Sequence, residues 1–182
     1  YKNNAFGNRS LRFNTFGTYN NAFGYRALTY NIAGSSNSAF GHDALVYNVS
    51  GGDNSAFGRG ALKNNINGLF NNAFGSNALR NNSSGTANNA FGFLSLSNNI
   101  TGTRNNAFGN SALYFNSGDR NNAFGNYALS SNTTGTTNNA FGYKALQLNT
   151  VGVKNSAFGH LSLQANTSNN NSAFGYKALT SN

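Results

Sequence analysis

The chain has 182 residues, a formal net charge of +9 from 12 Lys and Arg against 3 acidic residues, and no Pro, Cys, Met or Trp. Without cysteine it has neither a disulfide framework nor a thiolate metal site. Asp43, Asp53 and Asp119 are scattered and Glu is absent, which leaves no paired carboxylates for acid–base work and no Asp-rich calcium loop.

Taken in chain order, one pattern opens every stretch: Asn, Asn or Ser, Ala, Phe, Gly, two variable residues, Ala or Ser, Leu. It begins as NNAFGNRSL at 3–11, recurs as NNAFGYRAL at 20–28, and appears eleven times. Its phenylalanines are Phe6, Phe23, Phe40, Phe57, Phe74, Phe91, Phe108, Phe124, Phe141, Phe158 and Phe174, separated by 17 residues except for two steps of 16. Fixed spacing of this kind marks a repeat architecture, so residues 1–182 read as one solenoid domain built by adding like units. We number the unit from its first Asn. Positions one and twelve are always Asn, three Ala, five Gly and nine Leu; position fifteen is usually Gly. The two missing residues fall near Gly118 and Asn169, in the turn of positions thirteen to seventeen, where loops tolerate deletion.

The period chooses between helix and strand. Paired-helix repeats need about 33 residues or more, so a unit of this length is a single β coil. Two Gly punctuations and many Asn, Ser and Thr favour turns over helix interiors. The expected fold is all-β: a parallel β-solenoid, or β-roll, of about eleven 17-residue coils. One strand is expected over Asn, Ala, Phe and Gly, and a second from the Ala–Leu pair towards the second Asn. Absence of proline agrees, because a coil bonded to coils above and below cannot spare backbone N–H groups. At a strand spacing of about 4.8 Å the coils would make a rod about 50 Å long.

Stacking puts identical residues above one another. Asn3, Asn20, Asn37 and Asn54 would form one amide ladder, and Asn14, Asn31, Asn48 and Asn65 a second. The same Asn could instead occupy left-handed turn positions, and both readings stand at this stage. Side chains alternate along a strand, so Ala and Gly face one way and Phe the other. Phe and Leu could fill the core with Ala and Gly outward, but Ala and Gly are never replaced by a charged residue, whereas positions six, seven, ten and sixteen drift, which favours small residues inside and rings outside. A continuous aromatic stripe of that size needs a covering chain.

The Asn-x-Ala-x-Gly core, as in NSAFGHDAL at 37–45 and NNAFGNSAL at 105–113, resembles the YadA-like head repeat of trimeric autotransporter adhesins and similar phage tail-fibre segments. The resemblance runs over the whole chain, although this unit has 17 residues rather than 14 and an added Asn-x-x-Gly turn. It implies a left-handed parallel β-roll with small residues inside and three rolls packed through their larger apolar residues. The eleven phenylalanines would then be interchain contacts, in a trimer or filament of the chain with itself. Surface display is also implied, extracellular or on a cell or virion, with attachment to an unspecified surface. The lack of an initiator Met and the matching ends lead us to expect a segment of a longer array.

No enzymatic activity and no cofactor are expected. His42 and His160 share position six but stand seven units apart, and Ala-Phe-Gly lacks the Lys and Gly cluster of a phosphate loop. Arg9, Arg26, Lys144 and Lys177 share position seven, and Lys2, Arg104, Arg120 and Lys154 position seventeen. Both columns are interrupted, so they read as a solubilising surface and nucleic acid is not expected as a partner. No apolar run is long enough to span a bilayer. Tyr25, Tyr143 and Tyr176 lie beside cations, where they could stack on surface carbohydrate or sit half-exposed between coils. Asn-x-Ser/Thr acceptors occur at Asn8, Asn48, Asn81, Asn82, Asn99, Asn132, Asn166 and Asn170. Five of them, Asn48, Asn82, Asn99, Asn132 and Asn166, belong to position twelve and are expected to project from one edge as glycosylation sites. Two functions compete: a structural or adhesive fibre element with a polar, Asn-rich outer surface, and a solenoid that binds ice or carbohydrate. Ice binding would need a flat Thr array, whereas Thr86, Thr103 and Thr136 share position sixteen with Leu69, Gly52 and Asp119.

Overall fold

The computed structural model describes residues 2–181. Each unit contributes one three-residue strand, positions two to four, from β1 (Asn4–Phe6) and β2 (Asn21–Phe23) to β10 (Ser156–Phe158) and β11 (Ser172–Phe174). The eleven strands form one parallel sheet in sequence order. Register is strict: Ala5 pairs with Ala22, Phe6 with Phe23, and so on to Ala157 with Ala173 and Phe158 with Phe174. The chain is therefore an all-β solenoid, and no described residue is helical.

Each strand is short because glycine ends it. Gly24, Gly41 and their equivalents have φ between 123° and 141°, and a Cβ on Gly24 would stand 2.5 Å from the carbonyl oxygen of Gly41. Only glycine gives both the backbone angle and the close approach of the next coil.

The expected second strand is not a strand. Positions five to twelve run as turns, closed by local bonds such as Ala27 N–H to Gly24 C=O at 3.4 Å and Asn31 N–H to Leu28 C=O at 3.3 Å. Positions seven, nine and seventeen are left-handed in every described unit, and every position-nine Leu has φ between 48° and 52°. A left-handed non-glycine residue costs about 1–2 kcal/mol. What the conformation gains is direction. The chain rounds a tight corner while Leu28, Leu45, Leu62 and their equivalents as far as Leu163 point inward and are fully buried, worth roughly 1.5–3 kcal/mol each. Leu N–H still bonds outward to the next coil, as Leu28 to Ala44 C=O at 3.0 Å, so the intercoil ladder continues where strand geometry does not.

The interior thus holds three side chains per coil besides asparagine: Ala at three, Ala or Ser at eight, and Leu at nine. Backbone donors are taken at most positions by the coil before or after, as with Tyr30 N–H to Val46 C=O at 2.9 Å and Asp43 N–H to Tyr25 C=O at 2.9 Å. A proline at either would remove an intercoil bond. The short units adjust in the second turn: Asn116 and Asn166 reach the carbonyls of Gly118 and Ser168 two residues on, where Asn31 reaches Gly34 three residues on.

Candidate functional site

Because alanine takes the inner face of each strand, phenylalanine takes the outer. From Phe23 to Phe158 the rings form one column with centroids 4.7–4.8 Å apart and planes within 6° of parallel. Phe174 continues it at 5.0 Å, and Phe6 less regularly at 6.3 Å. That spacing is the coil repeat itself, so each ring covers both faces of its neighbours and leaves its outer edge in solvent. Phe23, Phe124 and Phe158 are 36–38% exposed. A second apolar column, which the sequence reading missed, lies at positions eleven and thirteen. Phe13, Tyr30 and Tyr47 stack at 5.2 and 5.4 Å, and Ile32, Ile66 and Ile100 are exposed beside that line. The signal was an aromatic residue at position eleven in each of the first three units.

Both Asn columns lie inside the coil. At position twelve, Asn31 Nδ2 donates to Asn14 Oδ1 at 2.6 Å and to its own turn at Gly34 C=O at 2.8 Å; Asn48 and Asn65 repeat this. At position one, Asn20 N–H donates to Asn3 Oδ1 at 2.8 Å, and the Asn37 and Asn54 amides follow in step. Asn37 Nδ2 also reaches back across the coil to Gly51 C=O at 2.8 Å, closing the second turn against the strand. None of these Asn has positive φ; the left-handed places belong to other positions, which removes the turn reading.

This placement corrects the glycosylation expectation. Asn48, Asn82, Asn99, Asn132 and Asn166 are fully buried, and their amides are bonded inside the coil, as Asn82 Nδ2 is to Asn65 Oδ1 and Gly85 C=O. They do not project from an edge. It also qualifies the expected Asn-rich exterior: the invariant Asn face inward, and outside remain position-two residues such as Asn72, which donates to Asn89 Oδ1 at 2.8 Å, and Asn at variable positions such as Asn67 and Asn126.

Position six carries a mixed ring column. Tyr25 meets His42 at 5.0 Å, and Tyr143, His160 and Tyr176 follow one another at 5.1 and 5.3 Å. Lys144 and Lys177 lie over the Tyr143 and Tyr176 rings at 5.2 and 5.3 Å. His160 is therefore stacked between two tyrosines and His42 leans on Tyr25, and no group of three metal-ligating side chains occurs among the described residues. No helix of the described residues is long and apolar enough to cross a membrane.

Charge gathers at one place. Asp43, nearly buried, holds Lys63 Nζ at 3.0 Å, Arg26 Nε at 3.5 Å and His42 Nδ1 at 3.6 Å. The sequence shows Asp43 only as one of three scattered acidic residues; the coil geometry brings Arg26, one unit before it, and Lys63, twenty residues on, against it. Compared with known proteins, the chain matches no family model, no curated protein and no solved structure.

Proposed function

We propose that the chain is a structural or adhesive fibre element, displayed on a surface, that assembles with copies of itself through the phenylalanine column. The observation that carries this reading is the unbroken stack from Phe23 to Phe158, its outer edges open, on a coil whose interior is already filled by Ala, Leu and Asn. The rings are not needed to close the core, and a contiguous apolar stripe that runs the length of a rod is the kind of surface that another chain covers. A straight, in-register stripe is complementary to itself, which suits a dimer, a trimer or a longer bundle of parallel rods.

The test is sedimentation velocity on the chain and on a Phe74→Ser, Phe91→Ser double variant. The unaltered chain should sediment as an oligomer, and the variant as a monomer with the same far-UV circular dichroism. An unaltered chain that remains monomeric at every concentration reached would end the proposal.

Carbohydrate binding has one observation in its favour. A cavity of about 280 Å³ is lined by Tyr114, Phe115 and Tyr127 together with the hydroxyls of Ser111, Ser130 and Ser131. Rings for stacking beside hydroxyls for hydrogen bonding suit a sugar ring. Glycan-array binding lost on Tyr127→Ala would support this second reading.

A further inference from the structure

The geometry points to an oxyanion-binding pocket at Arg59, Lys63, Asn77 and Arg80, opened by Gly60, that takes a phosphate or sulfate group. It does not depend on whether the phenylalanine column is covered. The pocket, about 120 Å³, is lined by Asp43, Arg59, Gly60, Lys63, Asn77 and Arg80.

Gly60 is the informative residue. It occupies position seven with φ 66°, and every other unit, from Arg9 and Arg26 to Leu161 and Lys177, meets the same left-handed angle there with a side chain, at φ between 52° and 61°. The backbone therefore does not require glycine. What glycine supplies is space, since a Cβ at Gly60 would stand 2.7 Å from Oδ1 of Asn77, another residue lining the cavity.

The surrounding charge is unbalanced in one direction. Three of the lining residues are cations, and the one carboxylate is Asp43, which already faces Arg26, His42 and Lys63. Arg59 and Arg80 form no ion pair among the described residues. Two guanidinium groups offer paired N–H donors matched to the oxygens of a phosphate or sulfate. Lys63, held by Asp43, and the Asn77 amide complete a polar rim. A divalent cation is disfavoured by the same charges, and an apolar ligand by the polar lining.

The experiment is a titration followed by ¹⁵N–¹H correlation spectra, with inorganic phosphate and inorganic sulfate added at constant ionic strength. Saturable shifts are expected at the amides of 59–63 and 77–80. Gly60→Ser, which keeps a residue type found at this angle in Ser111, and Arg80→Gln should each weaken binding tenfold or more, while Arg104→Gln on a distant column leaves it unchanged. Galactose 6-sulfate distinguishes the source: saturation of the same amides identifies an esterified sugar, and its exclusion while the inorganic ions bind identifies a free ion; either outcome supports the pocket. Shifts that never saturate, that spread evenly over all cations, or that persist unchanged in both pocket variants would overturn it.

Discussion

Replacing Asn65 by Ala in the middle of the position-twelve ladder should cost far more than its exposed counterpart. Asn65 Nδ2 donates to Asn48 Oδ1 at 2.8 Å and Gly68 C=O at 3.0 Å, and Asn65 Oδ1 accepts from Asn82 Nδ2 at 2.8 Å. Gly68 C=O keeps a second donor in Asn54, and Asn82 keeps Gly85 C=O. Asn48 Oδ1 keeps none. One orphaned buried acceptor at about 1–3 kcal/mol and two lost bonds at about 0.5–1.5 kcal/mol each give roughly 2–6 kcal/mol. At an m-value near 2 kcal/mol/M, the urea midpoint should fall by about 1–3 M. Asn72→Ala removes one half-exposed bond and should stay within about 1 kcal/mol. Because coils touch only their neighbours, the defect should also let the two halves of the array melt apart. Equal midpoints for the two variants would refute the claim that the inner ladder, not the sheet alone, holds the coils together.

Two further substitutions test the tight interior. Gly68→Ala should be at least as severe as Asn65→Ala, since the added Cβ would meet Gly85 C=O at 2.5 Å and also press on Asn65 Oδ1; amide exchange throughout coils four and five should accelerate. Leu79→Ala should lose about 2–5 kcal/mol in urea unfolding. Leu79→Gly should be no worse, because relief of the left-handed angle, about 1 kcal/mol, offsets the missing methyl; a Gly variant clearly weaker than the Ala variant would mean the angle carries no strain.

The repeat length, the parallel in-register stacking of the Asn-Ala-Phe strand, and alanine inside with phenylalanine outside were readable because each rests on period and on what fails to vary. Ala22, Ala39 and Ala56 are fully buried, and a period of two turns the neighbouring Phe outward. The second segment was not readable. Ala27-Leu28-Thr29-Tyr30 alternates like a strand and carries no glycine, yet Leu28 is left-handed with φ 51°. Local preference argues against that angle, and only the intercoil ladder and the buried Leu column enforce it. The acceptor motifs misled for a related reason. Asn48-Val-Ser and Asn99-Ile-Thr have the right letters, but the invariance of position twelve reflects interior bonding rather than display. The Arg59–Arg80 pocket joins residues from successive coils, and only the coil geometry brings them together.

The strongest demand the fold places on its sequence is the amide itself, and aspartate in its place isolates that demand. Asn65→Asp keeps the shape and the acceptor for Asn82 but replaces the donor facing Asn48 Oδ1 and Gly68 C=O with a second oxygen. Ionised, it would be a buried charge against two acceptors, a worse outcome than alanine. Protonated, one oxygen becomes a donor again. Burial and the facing oxygens raise the carboxyl's pKa in the folded coil above its unfolded value of about 3.9. The penalty is therefore fully present at neutral pH, eases as pH falls through the raised folded value, and is smallest below the unfolded one. The urea midpoint of Asn65→Asp should rise towards that of the unaltered chain between about pH 7 and pH 4, while that of Asn65→Ala keeps its distance. Every other ionisable group is common to the two variants, so the comparison between them isolates position 65. A midpoint for Asn65→Asp that runs parallel to that of Asn65→Ala across the whole interval would mean that position twelve needs a side chain of this shape and not a donor.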